Sequence, residues 1–91
     1  MARIARHVRV TGRVQGVFFR AWTREQADRL DVYGWVRNCP DGSVELHLEG
    51  AQDNVDQLLE MLKRGPSGAR VEALDVNETE PRNHDWFVVK H

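Results

Sequence analysis

Val32-Tyr33-Gly34-Trp35-Val36-Arg37-Asn38-Cys39-Pro40-Asp41-Gly42-Ser43-Val44-Glu45-Leu46-His47-Leu48-Glu49 reads as two strands around one tight turn. Val32 to Asn38 is rich in β-branched and aromatic residues, which suit a pleated surface. Asn38-Cys39-Pro40-Asp41-Gly42 is turn chemistry: proline presets one torsion, and Asp-Gly supplies the reversal. From Val44 onward the chain alternates, with Val44, Leu46 and Leu48 on one face and Glu45, His47 and Glu49 on the other. Two strands so close in sequence form a hairpin. What flanks that hairpin decides the fold.

Beyond it, Val55, Leu58, Leu59 and Leu62 fall at i, i+3, i+4 and i+7, which predicts a helix with one apolar stripe. Lys63 and Arg64 suit the negative end of its dipole, and Gly65-Pro66 ends it. Ahead of the hairpin, Ala21 to Leu30 carries Thr23, Ala27 and Leu30 at helical spacing. The opposite-charge pairs Arg24/Asp28 and Glu25/Arg29 stand four apart on its exposed face. Strand patterns bracket both helices. Ile4, Arg6, Val8 and Val10 alternate with Ala5, His7 and Arg9, with Arg6 the one imperfection, and Ala69 to Val76 resumes a strand after the second helix. Glu78 to Asp85 is polar loop, and Trp86 to Val89 is a short last strand.

Strand, helix, strand, strand, helix, strand is the split βαβ of α+β ferredoxin-like (βαββαβ) folds. Two helices then cover one face of a mainly antiparallel sheet, with a short extra C-terminal strand. Right-handed crossovers put the first and third strands side by side at the centre. The first two strands run parallel in this topology. The segment after strand one and Asn38 at the end of strand two therefore emerge at the same end of the sheet.

Ninety-one residues make a single domain, 1–91, and 41% hydrophobic with 30% charged residues argues against disorder. Thirteen basic residues against fourteen acidic ones lack the excess of a general nucleic-acid binder. The lone Cys39 cannot form an internal disulfide, the polar start Met1 to Arg6 lacks the apolar core of a signal peptide, and no run reaches membrane-spanning length. The expectation is a cytoplasmic protein that works as a monomer, with no nucleic acid and no membrane among its partners.

Gly12-Arg13-Val14-Gln15-Gly16-Val17-Phe18-Phe19-Arg20 joins the first strand to the first helix. Its glycines permit tight curling and close approach, and unpaired amides at a strand-to-helix junction welcome an anion. Arg20 places a cation at the positive end of a helix dipole, an unfavourable position unless something negative lies nearby. Read without the loop, Asn38 is a turn residue. Cys39 suggests a covalent mechanism, but a cysteine phosphatase wants an arginine six positions later, where Glu45 stands, so Cys39 is a bystander. His7 and His47 lie on neighbouring strands and could pair on a metal, yet the histidines lack ligand spacing and a solvated charged face is the simpler reading. Trp22, Trp35 and Trp86 are expected in core or edge packing, with Phe18 and Phe19 anchoring the loop to the core.

Gly12-x-Val14-Gln15-Gly16-Val17-x-Phe19-Arg20, Gly34-Trp35-Val36-Arg37-Asn38, Pro40-Asp41-Gly42-Ser43-Val44-Glu45 and Glu49-Gly50 together closely resemble the acylphosphatases, in register from about Arg6 to Val89. The resemblance implies the same βαββαβ fold and hydrolysis of small acyl phosphates to a carboxylate and phosphate. It also implies that Gln15, Gly16, Val17, Phe18 and Phe19 cradle the phosphoryl group, that Arg20 binds it, and that Asn38 positions the attacking water. The chain departs from the family at Cys39 and at Val89-Lys90-His91, which leaves open whether a C-terminal carboxylate reaches Arg20.

The residues support that chemistry independently of the likeness. A cation, a nest of amides and a neutral amide side chain offer no general acid and no nucleophile, so an alkoxide would not leave. A carboxylate, with a pKa of about 4, leaves unprotonated. Positioning and charge stabilisation then suffice, and no cofactor and no metal are called for. Two other classes compete. One is a non-catalytic anion- or RNA-binding ferredoxin-like module; to bind RNA it needs aromatic and basic residues on its open sheet face, where this chain has His7, Arg9, Glu45, His47 and Glu49. An acylphosphatase-like domain of a carbamoyl-transfer machine would normally be followed by more chain than this sequence has after His91. The acyl part of the substrate is not legible.

Overall fold

The computed structural model describes residues 3–91; Met1 and Ala2, which open the polar N-terminal stretch, lie outside the described residues. Seven elements follow in order: β1 (Arg3–Arg13), α1 (Phe19–Arg29), β2 (Tyr33–Asn38), β3 (Val44–Ala51), α2 (Gln52–Leu62), β4 (Arg70–Thr79) and β5 (Phe87–Lys90). The strands form one sheet in the order β4-β1-β3-β2-β5. β1 pairs antiparallel with β3 and β4, β2 pairs antiparallel with β3, and β5 adds to β2 in parallel. This is the ferredoxin-like arrangement expected, with β1 and β3 central and the extra strand present.

Both helices lie on one face because that is where their apolar stripes can be buried. Val55, Leu58 and Leu62 of α2, with Phe19 and Ala27 of α1, pack on Val8, Val10, Val36, Val44, Leu46 and Leu48 of the sheet. Each buried Val, Leu or Phe side chain among them contributes about 1.5–3 kcal/mol. The surface pairs Arg24–Asp28 and Arg29–Glu25 do form, at 3.8 and 3.2 Å, but such pairs are worth only about 0.2–0.5 kcal/mol each. The core, not the charged face, sets α1 on the sheet.

Element ends differ from expectation in three places. β1 runs on through Gly12 and Arg13, which were expected in the loop but pair with Val71 and Arg70 of β4. α1 begins at Phe19 rather than Ala21, because Phe19 is itself a core residue, and its carbonyl accepts a hydrogen bond from Thr23 Oγ1 at 2.8 Å. Phe19, Thr23 and Ala27 thus make one buried stripe. β4 runs on through Glu78 and Thr79, which pair with Arg6 and Ala5. As an edge strand largely open to solvent, it shows no alternation that would mark its end.

The helix-free face of the sheet corrects the picture of a uniformly solvated charged surface. His7 and Arg9 are part-exposed, as expected, with His7 Nε2 2.6 Å from Glu45 and Arg9 Nη1 3.1 Å from Asp41. Glu49 and His47 are instead buried, at 0% and 5% exposure. The loop between β4 and β5 folds over them. The Glu49 carboxylate accepts the backbone N–H groups of Arg82, Asn83 and His84 at 3.0–3.3 Å and a hydrogen bond from Arg3 Nε at 3.1 Å. Burial pushes this carboxyl up, but the His84 and Asn83 amides, with Arg3 and His47, outweigh that and hold it below the usual range. His47 stacks on Trp35, and burial lowers its pKa against the opposing pull of Glu49. Alternation tells which face a side chain takes, not what covers that face. Trp86 is a second correction: its side chain is 72% exposed, while its carbonyl accepts the Gly34 N–H. Among the described residues, no helix is long and apolar enough to cross a membrane.

Candidate active site

The site is assembled where β1 hands over to α1. The pairing of β1 with β4 shifts register between Thr11 and Gly12. Gly12 has φ 122°, and a Cβ there would lie 2.2 Å from the Arg70 carbonyl oxygen. Glycine is required by close backbone approach as well as by torsion, and beyond the bulge Gly12 and Arg13 still pair with Val71 and Arg70 before β1 ends. Val14, 1% exposed, pins the outgoing loop to the core.

Gly16 (φ 74°) and Phe18 (φ 61°) then take left-handed torsions at alternate positions. Such alternation curls successive amides into a concave nest that favours an anion. At the non-glycine Phe18 it costs about 1–3 kcal/mol, a strain the fold sustains at the very start of α1. Phe18 is the N-cap and makes no side-chain capping bond, and the first turn of α1 contains no acidic residue. The leading N–H groups of the helix therefore keep their positive character, and Arg20 adds a full charge in that turn. Everything the backbone does here raises the local potential.

Phe19 is buried, but Phe18 is 84% exposed and points outward. The expectation that both anchor the loop is thus half wrong; the left-handed torsion at Phe18 sends the two rings in different directions. Gln15 has a role that its position in the motif did not disclose. Its Nε2 donates to the carbonyls of Cys39 and Ser43, both at 2.8 Å, and so staples the loop to the hairpin turn.

That turn begins at Asn38, the last residue of β2. Since β1 and β2 run parallel, Asn38 emerges beside the loop. A pocket of about 340 Å³ opens between them, lined by Gly16, Phe18, Phe19, Arg20 and Asn38 among others; Gln15 and Val17 do not line it. Asn38 Oδ1 is buried and, among the described residues, accepts no hydrogen bond. A buried carbonyl oxygen without a donor is costly unless a ligand or water supplies one. Cys39 is buried, with its Sγ 4.0 Å from Glu45 Oε1, and it does not line the pocket.

Arg20 is held from a distant part of the chain. Nη1 donates to the Lys90 carbonyl at 3.0 Å and lies 3.3 Å from His91 Nδ1. The remaining guanidinium donors stay available for a planar, two-point grip on phosphate. His91 also lines the pocket. Sequence reasoning found Arg20, Asn38 and the loop, and left open whether the C-terminal carboxylate reaches Arg20. The groups found there are the Lys90 carbonyl and the His91 ring, and neither a main-chain oxygen nor a terminal ring marks itself in the sequence.

The acylphosphatase family model matches residues 6–89. A Pseudomonas aeruginosa protein named acylphosphatase is 50% identical over 90 residues, covering 99% of each chain. One of that name from Methanothrix thermoacetophila is 49% identical over 82 residues, covering 90% of this chain and 91% of the relative. A crystal structure of acylphosphatase from Bacillus subtilis superimposes with a TM-score of 0.94 at 32% identity, over 97% of this chain and 99% of that one.

Proposed function

Because the chain belongs to the acylphosphatase family, it is an enzyme that hydrolyses acyl phosphates, and we propose that Arg20, Asn38 and the Gln15–Phe19 loop carry out that reaction by direct attack of water on phosphorus. The loop amides, the start of α1 and the Arg20 fork hold the phosphoryl oxygens. Asn38 Oδ1 accepts a hydrogen bond from the water and aims it in line with the leaving group. The water oxygen–phosphorus bond forms as the carboxyl oxygen–phosphorus bond breaks, and the electron pair leaves with the carboxylate. One water proton passes to a phosphoryl oxygen, so no enzyme base is needed. The products are a carboxylate and dihydrogen phosphate.

The observation that carries this reading is that Asn38, whose buried Oδ1 has no hydrogen-bond partner among the described residues, lines the same pocket as Arg20. Gln15 acts one step back, keeping loop and asparagine in register. The test is phosphate release from benzoyl phosphate with EDTA present, comparing the wild type with Asn38→Ala. We expect rapid metal-independent turnover by the wild type, with kcat in the variant falling at least about tenfold while inhibition by phosphate changes little, because water orientation matters only during reaction. Equal losses in both would remove Asn38 from the water-positioning role. A pH–rate profile governed by an enzyme group near neutrality would count against substrate-assisted proton transfer.

A further inference from the structure

We propose that His47, Glu49 and His84 bind a transition-metal dication, best matched by zinc(II), at a site separate from the pocket of Arg20 and Asn38. One ligand atom from each of the three residues lies within 4.8 Å of the other two. His47 Nε2 is 3.3 Å from Glu49 Oε1, and His84 Nε2 is 3.9 Å from the same oxygen. Ligand atoms around a tetrahedral zinc stand about 3.3 Å apart, from bond lengths near 2.0–2.2 Å. The His47–Glu49 edge already has that length. His84, on a loop and one-third exposed, is the member able to swing inward.

Two imidazoles and a carboxylate are a borderline-soft donor set, which suits zinc and disfavours magnesium or calcium. The supporting contacts are those of a preorganised site. Trp35 stacks on the His47 ring, His84 meets that ring edge-on, and backbone amides with Arg3 fix the Glu49 carboxylate; a metal would share Oε1 with the Arg82 and His84 amides and replace its bond with His47 Nε2. A pocket of about 350 Å³ lined by His7, Trp35, His47, Thr79, Arg82 and His84 reaches the two histidines from solvent and has room for water as a fourth ligand, with Glu49 buried behind them. Arg3 and Arg82 oppose a dication, so affinity is set by the imidazoles rather than by net charge.

The reading contrasts with the solvated pair of His7 and His47 seen in the sequence. His7 is engaged with Glu45, and the partner that completes the cluster, His84, lies 37 residues beyond His47 (84 − 47). Bound metal would tie the β4–β5 loop to β3. The test is titration of the EDTA-stripped full chain with zinc chloride, followed by calorimetry and thermal unfolding. We expect one equivalent bound, and a Tm rise of about 10 °C or more when free zinc is about 100 times its Kd. His84→Gln keeps the main-chain donor to Glu49 and should fold, with zinc affinity reduced at least about tenfold; His47→Gln should do the same, and His7→Gln should change little. Absence of binding would overturn the proposal, as would binding that survives both His84→Gln and His47→Gln or is lost only in His7→Gln.

Discussion

Arg20→Ala should lose at least about 3 kcal/mol of transition-state stabilisation, more than a hundredfold in kcat/KM, together with inhibition by inorganic phosphate. The substitution removes the full charge in the first turn of α1 and leaves only amide dipoles facing the phosphoryl group. Among the described residues, no other arginine or lysine lines the pocket. The other groups touching Arg20 are the Lys90 carbonyl and the His91 ring, neither of which supplies the fork. Arg20→Lys tests charge against geometry. It restores a point cation but not two parallel donors, so recovery should be partial. Steady-state kinetics with benzoyl phosphate, with and without phosphate as inhibitor, separates the outcomes. An alanine variant that still binds phosphate normally would show that the amide nest alone holds the anion, and that Arg20 acts elsewhere.

The second large effect concerns stability. Glu49→Ala should destabilise the fold by about 3–5 kcal/mol, a large part of the 5–15 kcal/mol typical of a small domain. It strands three backbone amides and the Arg3 guanidinium that the buried carboxylate now satisfies. The pH dependence follows from the depressed folded pKa of Glu49. Above the unfolded value of about 4.3 the stabilisation is fully present; it falls away as pH drops through that value toward the folded pKa. The carboxyl of Asp41 is also held down, chiefly by hydrogen bonds from Ser43, and that of Glu45 chiefly by its hydrogen bond with His7. Acid weakening of the wild type alone is therefore not diagnostic. The difference between wild type and Glu49→Ala in urea unfolding is, and it should shrink between neutral pH and about pH 3. A constant difference would mean that Glu49 contributes by shape rather than charge.

The elements legible in the sequence are those whose signal is local. The alternation of Val44, Leu46 and Leu48 and the stripe of Val55, Leu58, Leu59 and Leu62 each report one buried face within a few residues. Their order around the hairpin leaves one ferredoxin-like topology. That topology alone brings the Gly12–Arg20 loop and Asn38 to one end of the sheet, since β1 and β2 both pair antiparallel with β3. The loop's chemistry was also readable, because glycines, a helix start and an arginine act through backbone and charge rather than through distant partners.

What tertiary structure decided is contact between segments far apart in sequence. Gln15 reaches Cys39 and Ser43, Arg20 reaches Lys90, and Glu49 takes the amides of Arg82, Asn83 and His84. None of these leaves a period in the sequence, because a hydrogen bond imposes no repeat on its neighbours. A polar loop carries no mark of the face it will cover, so Glu49 and His47 look like surface residues until the segment between β4 and β5 closes over them. Phe18 and Phe19 make the same point at the smallest scale: adjacent and chemically identical, they are separated into solvent and core by one left-handed torsion.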